Sequence, residues 1–433
     1  MSMNRRAILF GGAAASLCAS LPAMAAPALS SRNFGLRPAK VPRSNAWFEI
    51  DAAAFEHNIA QVRAILGDGG AELCTIMKAD AYGNGLDLLM PSVLKTRVKA
   101  VGITSNDEAR VAREMGFKGR LIRVRTGTLD EIEDAFPLNV EELVGNPVAA
   151  ARIAQLWSRA HPDRALPIHL CLNADGMSRN GVELKTDYGK RDASAILATR
   201  PLRIAGLMTH YPTEDTDDIL RQLARFHQDT GWLKANGLPS GTITRHTANT
   251  FATLHHPQTR LDMVRVGGAL YGDTSADFLA RFQPTITLKS RVATVNHFPA
   301  DETVAYDRTY KLARDSWLAN IPIGYSDGYR RSLSHANQPD FANEEKNKTE
   351  ILIGGRRYPV VGRVTMNTLM VDVTGDQDRI KLDDEVVLFG RQGDAFISQK
   401  ELEDNSASYG PDLLAVMGNS LPKMLKPAAG SRG

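Results

Sequence analysis

The order of predicted strands and helices constrains this chain more than any other feature. From about Trp47 to Phe282, strand-like apolar runs alternate with segments whose apolar residues recur at helical spacing. The runs read LCTIM, KAVGIT, RLIRV, LPIHLCL, RIAGLMT, TITRH and DMVRVGGALYG. Because a chain returns between parallel strands through a helix, this alternation is typical of parallel sheets. A set of strands close to eight predicts a (β/α)8 barrel, which takes roughly 250 residues.

The helix predicted before the first run has a clear start and end. Asp51 is a capping residue, apolar residues follow at helical spacing, and Gly67 ends the pattern. The apolar positions are Phe55, Ile59, Val62 and Leu66.

The pattern changes after Phe282. β-Branched runs with turn residues replace the alternation, as in TITLKSRVATVNHF and KTEILIGGRRYPVVGRVTMNTLMVDV. This pattern predicts a second, mostly β domain. We therefore expect the barrel over residues 47–285, the β-rich domain over 286–426 and a short tail over 427–433.

The first 25 residues have the pattern of a secretory signal peptide. A basic start at Arg5 and Arg6 precedes an apolar run and the small-residue triplet AMA at residues 23–25. A membrane-spanning helix is the alternative, but it needs about 20 continuous apolar residues, and glycines and Pro22 interrupt this run. We predict export to the periplasm, a mature chain not held in the membrane and an N-terminal extension over residues 26–46. The choice between the Sec and twin-arginine routes stays open.

Charge and cysteine content narrow the class of protein. The formal net charge of +3 includes two arginines of the signal segment, so the mature chain carries about +1. Nucleic acid and anionic membranes are therefore not expected as partners. Removal of the signal leaves only Cys74 and Cys171, too few for a disulfide scaffold. A packed core must hold the fold.

Lys78 follows the first barrel run directly, in the stretch CTIMKADAYGNG. Catalytic groups of β/α barrels come from the carboxyl ends of strands. A buried amine loses its proton more readily, and a neutral amine attacks aldehydes to form a Schiff base. Lys78 is therefore a candidate attachment point for pyridoxal phosphate. The alternative, taken alone, is an ordinary surface lysine at a strand end.

Such a cofactor also needs a phosphate seat late in the barrel. Thr250 in RHTANT offers a hydroxyl, and Gly267 and Gly268 in MVRVGG let backbone N–H groups approach a phosphate. Arg265 lies in the same late segment, near enough in sequence to meet the ring. The sequence predicts no metal site.

Seven motifs in order resemble the bacterial alanine racemases, which are pyridoxal phosphate enzymes of the barrel type. They are MKADAYGNG, LMTHYPTED, HTANT, DMVRVGGALYG, AYDRTY, IPIGYSDGY and VGRVTMNTLMVDV, and they span nearly the whole mature chain.

The resemblance implies a role for each cofactor residue. Lys78 matches the Schiff-base lysine that also removes the α-proton from one face of the substrate. Arg265 matches the arginine facing the pyridine nitrogen, and Arg179 in GMSRNG matches the arginine near the ring hydroxyl. The remaining matches are a phosphate-holding tyrosine, a histidine beside the ring and the phosphate ligands: Tyr82, His210, Thr250, Gly267 and Gly268.

The resemblance also implies a partner subunit. Tyr306 matches the second catalytic base, which in this family enters from the other subunit of a head-to-tail dimer. Tyr325 and Met366 match residues of the substrate entrance and pocket. Racemisation takes a proton from one face of the α-carbon and returns it to the other, so two acid/base groups are the minimum.

Several positions depart from ordinary alanine racemases. Cys171 stands where a lysine is common, Asn180 follows Arg179, and Thr365 and Asn367 replace common pocket residues. Asn419 aligns with a tyrosine that closes the small alanine pocket. With the signal segment, these departures resemble the exported broad-specificity amino-acid racemases, which act on lysine, arginine, alanine and other free amino acids. Asn180 and Thr365 are accordingly predicted to contact the substrate.

Three alternatives remain at this point: an exported alanine racemase of narrow specificity, a decarboxylase or aldolase on the same barrel, and an inactive pyridoxal phosphate-binding protein. The pairing of Lys78 with Tyr306 disfavours the last two. Arg123 and Arg125 in RLIRVRT point either to the barrel mouth or to a solvated strand end.

Overall fold

A computed structural model describes residues 43–338 and 349–427 of this chain. The signal-like segment and most of the predicted N-terminal extension lie outside the described residues. The first described strand is β1 (Ala46–Ile50), followed by helix α1 (Ala52–Leu66). As predicted, the side chain of Asp51 caps α1 by accepting from the backbone N–H of Ala54, and Gly67 ends the helix.

Eight parallel strands form the barrel. They are β2 (Glu72–Ile76), β3 (Ala100–Ile103), β4 (Arg120–Arg123), β5 (Val140–Val144), β6 (Leu166–Cys171), β7 (Leu202–Met208), β8 (Thr244–His246) and β9 (Met263–Val266). The order is β8-β7-β6-β5-β4-β3-β2-β9. Between the two ends of this order, Arg265 N donates to Ala248 O at 3.0 Å, so the barrel is nearly closed.

Helices surround the barrel. They are α2 (Lys78–Tyr82), α3 (Leu86–Lys95), α4 (Asn106–Glu114), α5 (Leu129–Asp134), α6 (Pro147–Ala160), α7 (Asp187–Ala198), α8 (Thr216–Ala235) and α9 (Thr250–His255). An inner apolar layer of Cys74, Ile76, Ala100, Ile122 and Met263 fills the centre. The predicted fold class, a (β/α)8 barrel followed by a mostly β domain, is confirmed.

The C-terminal domain is built on a mostly antiparallel sheet. Its strands are β10 (Ile286–Arg291), β11 (Thr294–Phe298), β12 (Thr303–Val304), β13 (Tyr310–Lys311), β14 (Ser316–Ile321), β15 (Glu350–Ile353), β16 (Arg356–Val361), β17 (Leu369–Asp372), β18 (Glu385–Gln392), β19 (Ala395–Ile397) and β20 (Lys423–Leu425). Helices α10 (Gln399–Ser406) and α11 (Gly410–Ser420) precede β20. β12 and β13 form a separate two-stranded hairpin.

The structure divides the chain differently from the predicted boundary at residue 47. β1 pairs antiparallel with β10 and parallel with β20, so it belongs to the C-terminal sheet. Four of its five residues are buried, as a strand covered on both faces requires. The segment before the barrel is therefore an interior strand of the other domain, next to the edge strand β20.

Helix α11 packs directly onto the turn that follows Lys78. A Cβ on Gly418 would lie 2.4 Å from the Cα of Gly83, and a Cβ on Gly83 would lie 2.4 Å from the carbonyl oxygen of Leu414. Only glycine lets two backbones come so close. The C-terminal domain is thus seated against the barrel beside Lys78. No helix of the described ranges is long and apolar enough to cross a membrane.

Candidate active site

Lys78 begins a short turn with an unusual backbone. In α2, Ala79, Asp80 and Ala81 have φ values of 54°, 54° and 56°, which are left-handed helical values. Left-handed turns of non-glycine residues cost about 1–2 kcal/mol per residue. Such a conformation persists only where neighbouring structure holds it.

Asp80 supplies much of that restraint. Its Oδ1 accepts from the backbone N–H of Leu86 at 2.7 Å, and its Oδ2 accepts from Lys423 Nζ at 2.6 Å. Lys423 lies on β20, so this ion pair connects the turn with the C-terminal domain. The position of Lys78 is therefore set from both domains.

The amine of Lys78 lies at the mouth of the barrel, 5.6 Å from the centre of the Tyr82 ring. Desolvation and the positive charge of Arg179 lower the pKa of Lys78, and the carboxylate of Glu108 opposes them. Although the side chain remains accessible in the single chain, its surroundings make the amine easier to deprotonate than that of a free lysine. This is the property that a nucleophilic lysine needs.

Tyr82 and the late loop form a cradle beside Lys78. The Tyr82 ring stacks on Tyr271 with centroids 4.8 Å apart. A Cβ on Gly267 would lie 2.4 Å from the Tyr82 hydroxyl, so only glycine leaves room there. Gly267 N–H donates to Thr250 Oγ1 at 3.2 Å, and Gly268 follows directly. The cradle brings together two hydroxyls and glycine N–H groups, which suits a phosphate.

Arg265 is buried on β9, and its hydrogen-bond partners among the described residues include no carboxylate. Its Nη1 donates to His246 O at 2.7 Å and to His246 Nδ1 at 3.1 Å. Its Nη2 donates to Thr209 O at 2.8 Å and to His210 Nδ1 at 3.1 Å. Nη2 also donates to Thr247 O at 3.2 Å. Acceptors therefore engage both Nη groups and leave the Nε–H as the remaining donor within the described residues.

The charge states around Arg265 follow from burial. Desolvation lowers the pKa of Arg265 to about 10, so the guanidinium stays protonated at neutral pH. Desolvation, with Arg265, Arg179 and Lys78 nearby, lowers the pKa of His210 to about 3. His210 is therefore neutral, and its Nδ1 serves as an acceptor.

A chain of hydrogen bonds continues from Arg265 through the barrel interior. His246 Nε2 lies 2.7 Å from His169 Nδ1, and His169 Nε2 lies 2.7 Å from Glu141 Oε2. Since His246 Nδ1 accepts from Arg265, its Nε2 carries the proton and donates to His169, which in turn donates to Glu141. Although desolvation raises the pKa of Glu141, its bonds to His169 and Arg120 bring it down to about 2. The buried guanidinium is thus connected to a carboxylate.

A pocket opens beside this cluster, and both Arg179 and Asn180 line it. When the Asn180 amide is oriented with its oxygen toward Arg179, Oδ1 accepts from Arg179 Nε at 3.2 Å. Asn180 therefore steadies the guanidinium. Cys171 also lines the pocket, and burial raises the pKa of its thiol to about 12. Cys171 and Cys74 are buried and free, so neither is a reactive thiolate.

The remaining predicted site residues belong to the C-terminal domain. Tyr306 is 67% exposed, Tyr325 43% and Met366 53%. Tyr325 N donates to Thr365 O at 3.0 Å, and Ser326 N donates to Met366 O at 3.0 Å, so the two turns form one unit. Thr365 Oγ1 donates to Thr368 O within its own turn. In the single chain this group presents side chains outward.

The two arginines left open by the sequence have ordinary structural partners. Arg123 is completely buried, and its guanidinium donates to Glu142 at 2.7 and 3.1 Å. A solvated strand end is therefore wrong for Arg123. Arg125 is 40% exposed at its side chain and pairs with Glu131. Asn419 lies exposed on α11.

Sequence reasoning missed His169, His246 and Tyr271. Each stands in a run that was recognised as a strand or motif, LPIHLCL, TITRH and GGALYG. The available signal was a histidine inside an otherwise apolar barrel strand, since buried polar groups need partners. Within residues 43–338 and 349–427, no three His, Cys, Asp or Glu side chains are grouped as metal ligands.

Known proteins match this chain over nearly its whole described length. The model of the alanine racemase N-terminal domain matches residues 50–275, and that of the C-terminal domain matches residues 285–425. A broad specificity amino-acid racemase of Pseudomonas taetrolens is 50% identical over 94% of this chain and 95% of its own length. A protein of the same name from Aeromonas hydrophila is 49% identical over 88% and 90%.

Two further proteins extend the comparison. A lysine racemase of Proteus mirabilis is 42% identical over 88% of this chain and 90% of its own length. The crystal structure of alanine racemase from Bartonella henselae with covalently bound pyridoxal phosphate has a TM-score of 0.74 and 20% identity, over 88% of this chain and 100% of that chain. The fold is therefore shared even at low identity. These matches confirm the resemblance, and the chain belongs to the alanine racemase family.

Proposed function

We propose that this chain is a broad-specificity racemase that interconverts the L and D forms of lysine, arginine, alanine and other free amino acids with pyridoxal phosphate as cofactor. The observation that carries the proposal is an amine of lowered pKa, Lys78, at the carboxyl end of a barrel strand beside the glycine cradle. Relatives at 49% and 50% identity are named broad specificity amino-acid racemases, and one at 42% is named lysine racemase.

The residues around Lys78 fit the proposed cofactor. The amine is the attachment point for the aldehyde, and Tyr82, Thr250 and the N–H groups of Gly267 and Gly268 receive the phosphate. The missing Cβ of Gly267 supports this fit, because it lets the Tyr82 hydroxyl lie against the backbone of the late loop, and such converging donors suit a phosphate. When bound, pyridoxal phosphate withdraws electrons from the α-carbon of an amino acid and so acidifies its α-proton.

Arg265 supports racemisation over competing chemistry. Its guanidinium keeps its proton at neutral pH and offers its Nε–H as a hydrogen bond, without transferring a proton. A group that holds its proton in this way limits how much negative charge a ring nitrogen can accept. The α-proton is then returned quickly, and side reactions such as transamination are disfavoured.

Two bases carry the proton in our proposal. Lys78 removes or returns it on one face of the α-carbon, and Tyr306 does so on the opposite face. Tyr306, Tyr325 and Met366 are exposed in the single chain. We propose that they enter the barrel mouth of a second copy in a head-to-tail homodimer.

Shared active sites have a direct test. Lys78→Ala and Tyr306→Phe are each expected to be inactive, but a heterodimer of the two contains one site with both native bases. Unfolding and refolding the two variants together should therefore restore activity to roughly a quarter of the wild-type value, given random pairing. If the mixture stays inactive although heterodimers form, the sites are not shared.

We propose that the substrate pocket of this chain accommodates long side chains. Asn419 stands where alanine racemases place a tyrosine, and it lies exposed on α11. Hydrophobic pockets discriminate by only about 1–3 kcal/mol per methylene in any case. Accepting a range of substrates therefore requires only small differences in binding free energy. Proposed contacts for the parts common to all amino acids are Arg179, Asn180, Thr365 and Met366.

Export is a separate proposal that depends on the signal-like first 25 residues. It predicts that protein recovered from the periplasm begins near residue 26. The mass of the recovered chain decides this, because a retained segment would add the mass of residues 1–25.

Substituting Lys78 tests the proposed chemistry. Lys78→Ala should lose both turnover and the visible absorption of covalently held cofactor, whereas Lys95→Ala should keep both. Lys95 is a suitable control because it is exposed and pairs with Glu56 on the outside of the barrel. Racemisation by Lys78→Ala at the wild-type rate without added amines would contradict the assignment.

A further inference from the structure

The loop that carries Tyr306 has a strained backbone. Ala305 has φ 62° and ψ −162°, a combination that is essentially restricted to glycine, and Asp307 and Arg308 have φ values of 61° and 53°. Three of the four residues from 305 to 308 are therefore held in conformations that a free chain avoids. Neighbouring groups must supply that restraint.

The carboxylate of Asp307, which is half exposed, links this loop to two arginines. Its Oδ2 lies 3.0 Å from Arg331 Nη2 and 2.9 Å from Arg363 Nε. Arg363 is buried, whereas Arg331 is 55% exposed at its side chain. One carboxylate oxygen thus receives two guanidinium groups from two different segments.

Those two segments form a common frame. Val364 N donates to Ser334 Oγ at 2.9 Å, and His335 N donates to Gly362 O at 3.1 Å, so the segment that follows β16 is joined to the turn after Arg331. The frame also contacts the start of the loop, because a Cβ on Gly362 would lie 2.7 Å from Val304 O. Asp307 therefore attaches the loop to a unit that is held together by hydrogen bonds.

Tyr306 depends on this attachment. Within the described residues, no hydrogen bond or ring contact holds its phenol, and its side chain is 67% exposed. The backbone on either side accordingly sets the point from which the phenol extends. A shift of this backbone moves the hydroxyl by a similar amount.

We propose that Asp307 is a positioning residue. Together with Arg331 and Arg363, it fixes the loop that places Tyr306 for proton transfer on one face of the α-carbon. The inference rests on the proposed role of Tyr306 as a base. It goes beyond that role because it assigns a function to a carboxylate that touches neither substrate nor cofactor.

Asp307→Asn is the informative variant. Asparagine has nearly the same size and also tolerates left-handed φ values, so the change removes the charge without adding backbone strain. Misplacement of a catalytic group by about 1 Å can cost a hundredfold in rate. We expect kcat to fall about tenfold to a hundredfold, with KM and cofactor affinity unchanged, because the barrel residues stay in place.

The decisive measurement compares the two alanine enantiomers, because each base removes the α-proton of only one of them. In heavy water, Tyr306→Phe should exchange the α-proton of only one alanine enantiomer, the one that Lys78 deprotonates. With α-deuterated alanines, Asp307→Asn should then show a raised isotope effect for the other enantiomer only. Asp301→Asn is the control, since Asp301 pairs with Lys311 in the neighbouring hairpin, and it should leave both isotope effects at wild-type values.

Arg331→Gln provides a second test, which is valid even if the Asp307→Asn variant does not fold. It removes an exposed partner of the same carboxylate. It should raise the same isotope effect, and the double variant should be no slower than the slower single variant. Wild-type kcat in both single variants, or equal rises of both isotope effects, would overturn the inference. If Tyr306→Phe itself racemises normally, the proposed second base fails as well, so the two failures are distinguishable.

Discussion

A methyl group added at Gly267 is predicted to damage the phosphate cradle without unfolding the barrel. The ideal Cβ of residue 267 would lie 2.4 Å from the Tyr82 hydroxyl oxygen and 2.9 Å from Cζ of that ring. The φ of Gly267 is −118°, so alanine meets no left-handed strain there. The effect of Gly267→Ala should therefore come from displaced Tyr82.

The size of the effect follows from the distances. Relaxed nonbonded contacts lie near ~3.5 Å, so the hydroxyl must retreat by about 1 Å. Tyr82 cannot swing freely, because its ring stacks on Tyr271 at 4.8 Å. A hydrogen bond to a charged group contributes about 1.5–3 kcal/mol, and its loss corresponds to roughly 10- to 150-fold weaker binding.

The assay is titration of cofactor-free apoprotein with pyridoxal phosphate, followed by absorption of the bound cofactor. Gly231→Ala is the matched control: Gly231 lies within α8 with no atom within 4 Å of the added Cβ, so alanine there should be neutral or stabilising. Cofactor affinity equal to wild type in Gly267→Ala, with the Gly231 control also unchanged, would refute the phosphate seat described above.

Two further predictions concern buried charges outside the site. Arg123→Met should lower the free energy of unfolding, measured in urea, by about 3–5 kcal/mol, because Glu142 is left buried without its partner. The double variant that also carries Glu142→Leu should recover most of this loss. Equal stability of the single and double variants would contradict the prediction. Desolvation raises the pKa of Asp229 from 3.8 to about 6 despite Arg225, so the folded state binds more protons between those values and wild-type stability falls as pH rises through that window. The melting temperature of Asp229→Asn relative to wild type should therefore increase from pH 4 to 6 and then level off, and a constant difference across this range would refute the assignment.

Sequence patterns were sufficient for the barrel and for the position of Lys78 at the end of a strand, because strand ends in a β/α barrel converge on one face. They missed β5, whose run VEELV contains two adjacent acids. Both are paired in the fold: Glu141 with Arg120 and His169, and Glu142 with Arg123. Paired charges inside a strand hide the apolar signal on which periodicity depends.

Other features depend on long-range contacts that a linear pattern does not contain. β1 pairs with strands more than two hundred residues away, so its place in the C-terminal sheet could not follow from its position before the barrel. The left-handed turn after Lys78 is composed of ordinary residues, and Asp80 with Lys423 makes it possible only in the folded chain. The hydrogen-bonded chain from Arg265 to Glu141 likewise joins four strands that are separate in sequence.

The central claim of broad-specificity racemisation is tested most directly by chiral chromatography. Purified protein lacking residues 1–25, supplied with pyridoxal phosphate, is incubated in parallel with L-lysine and L-alanine, and the enantiomers are resolved over time. We predict D-lysine at a rate comparable to D-alanine. D-alanine alone would show a racemase of narrow specificity, and the absence of both D products from cofactor-loaded protein would contradict racemisation itself.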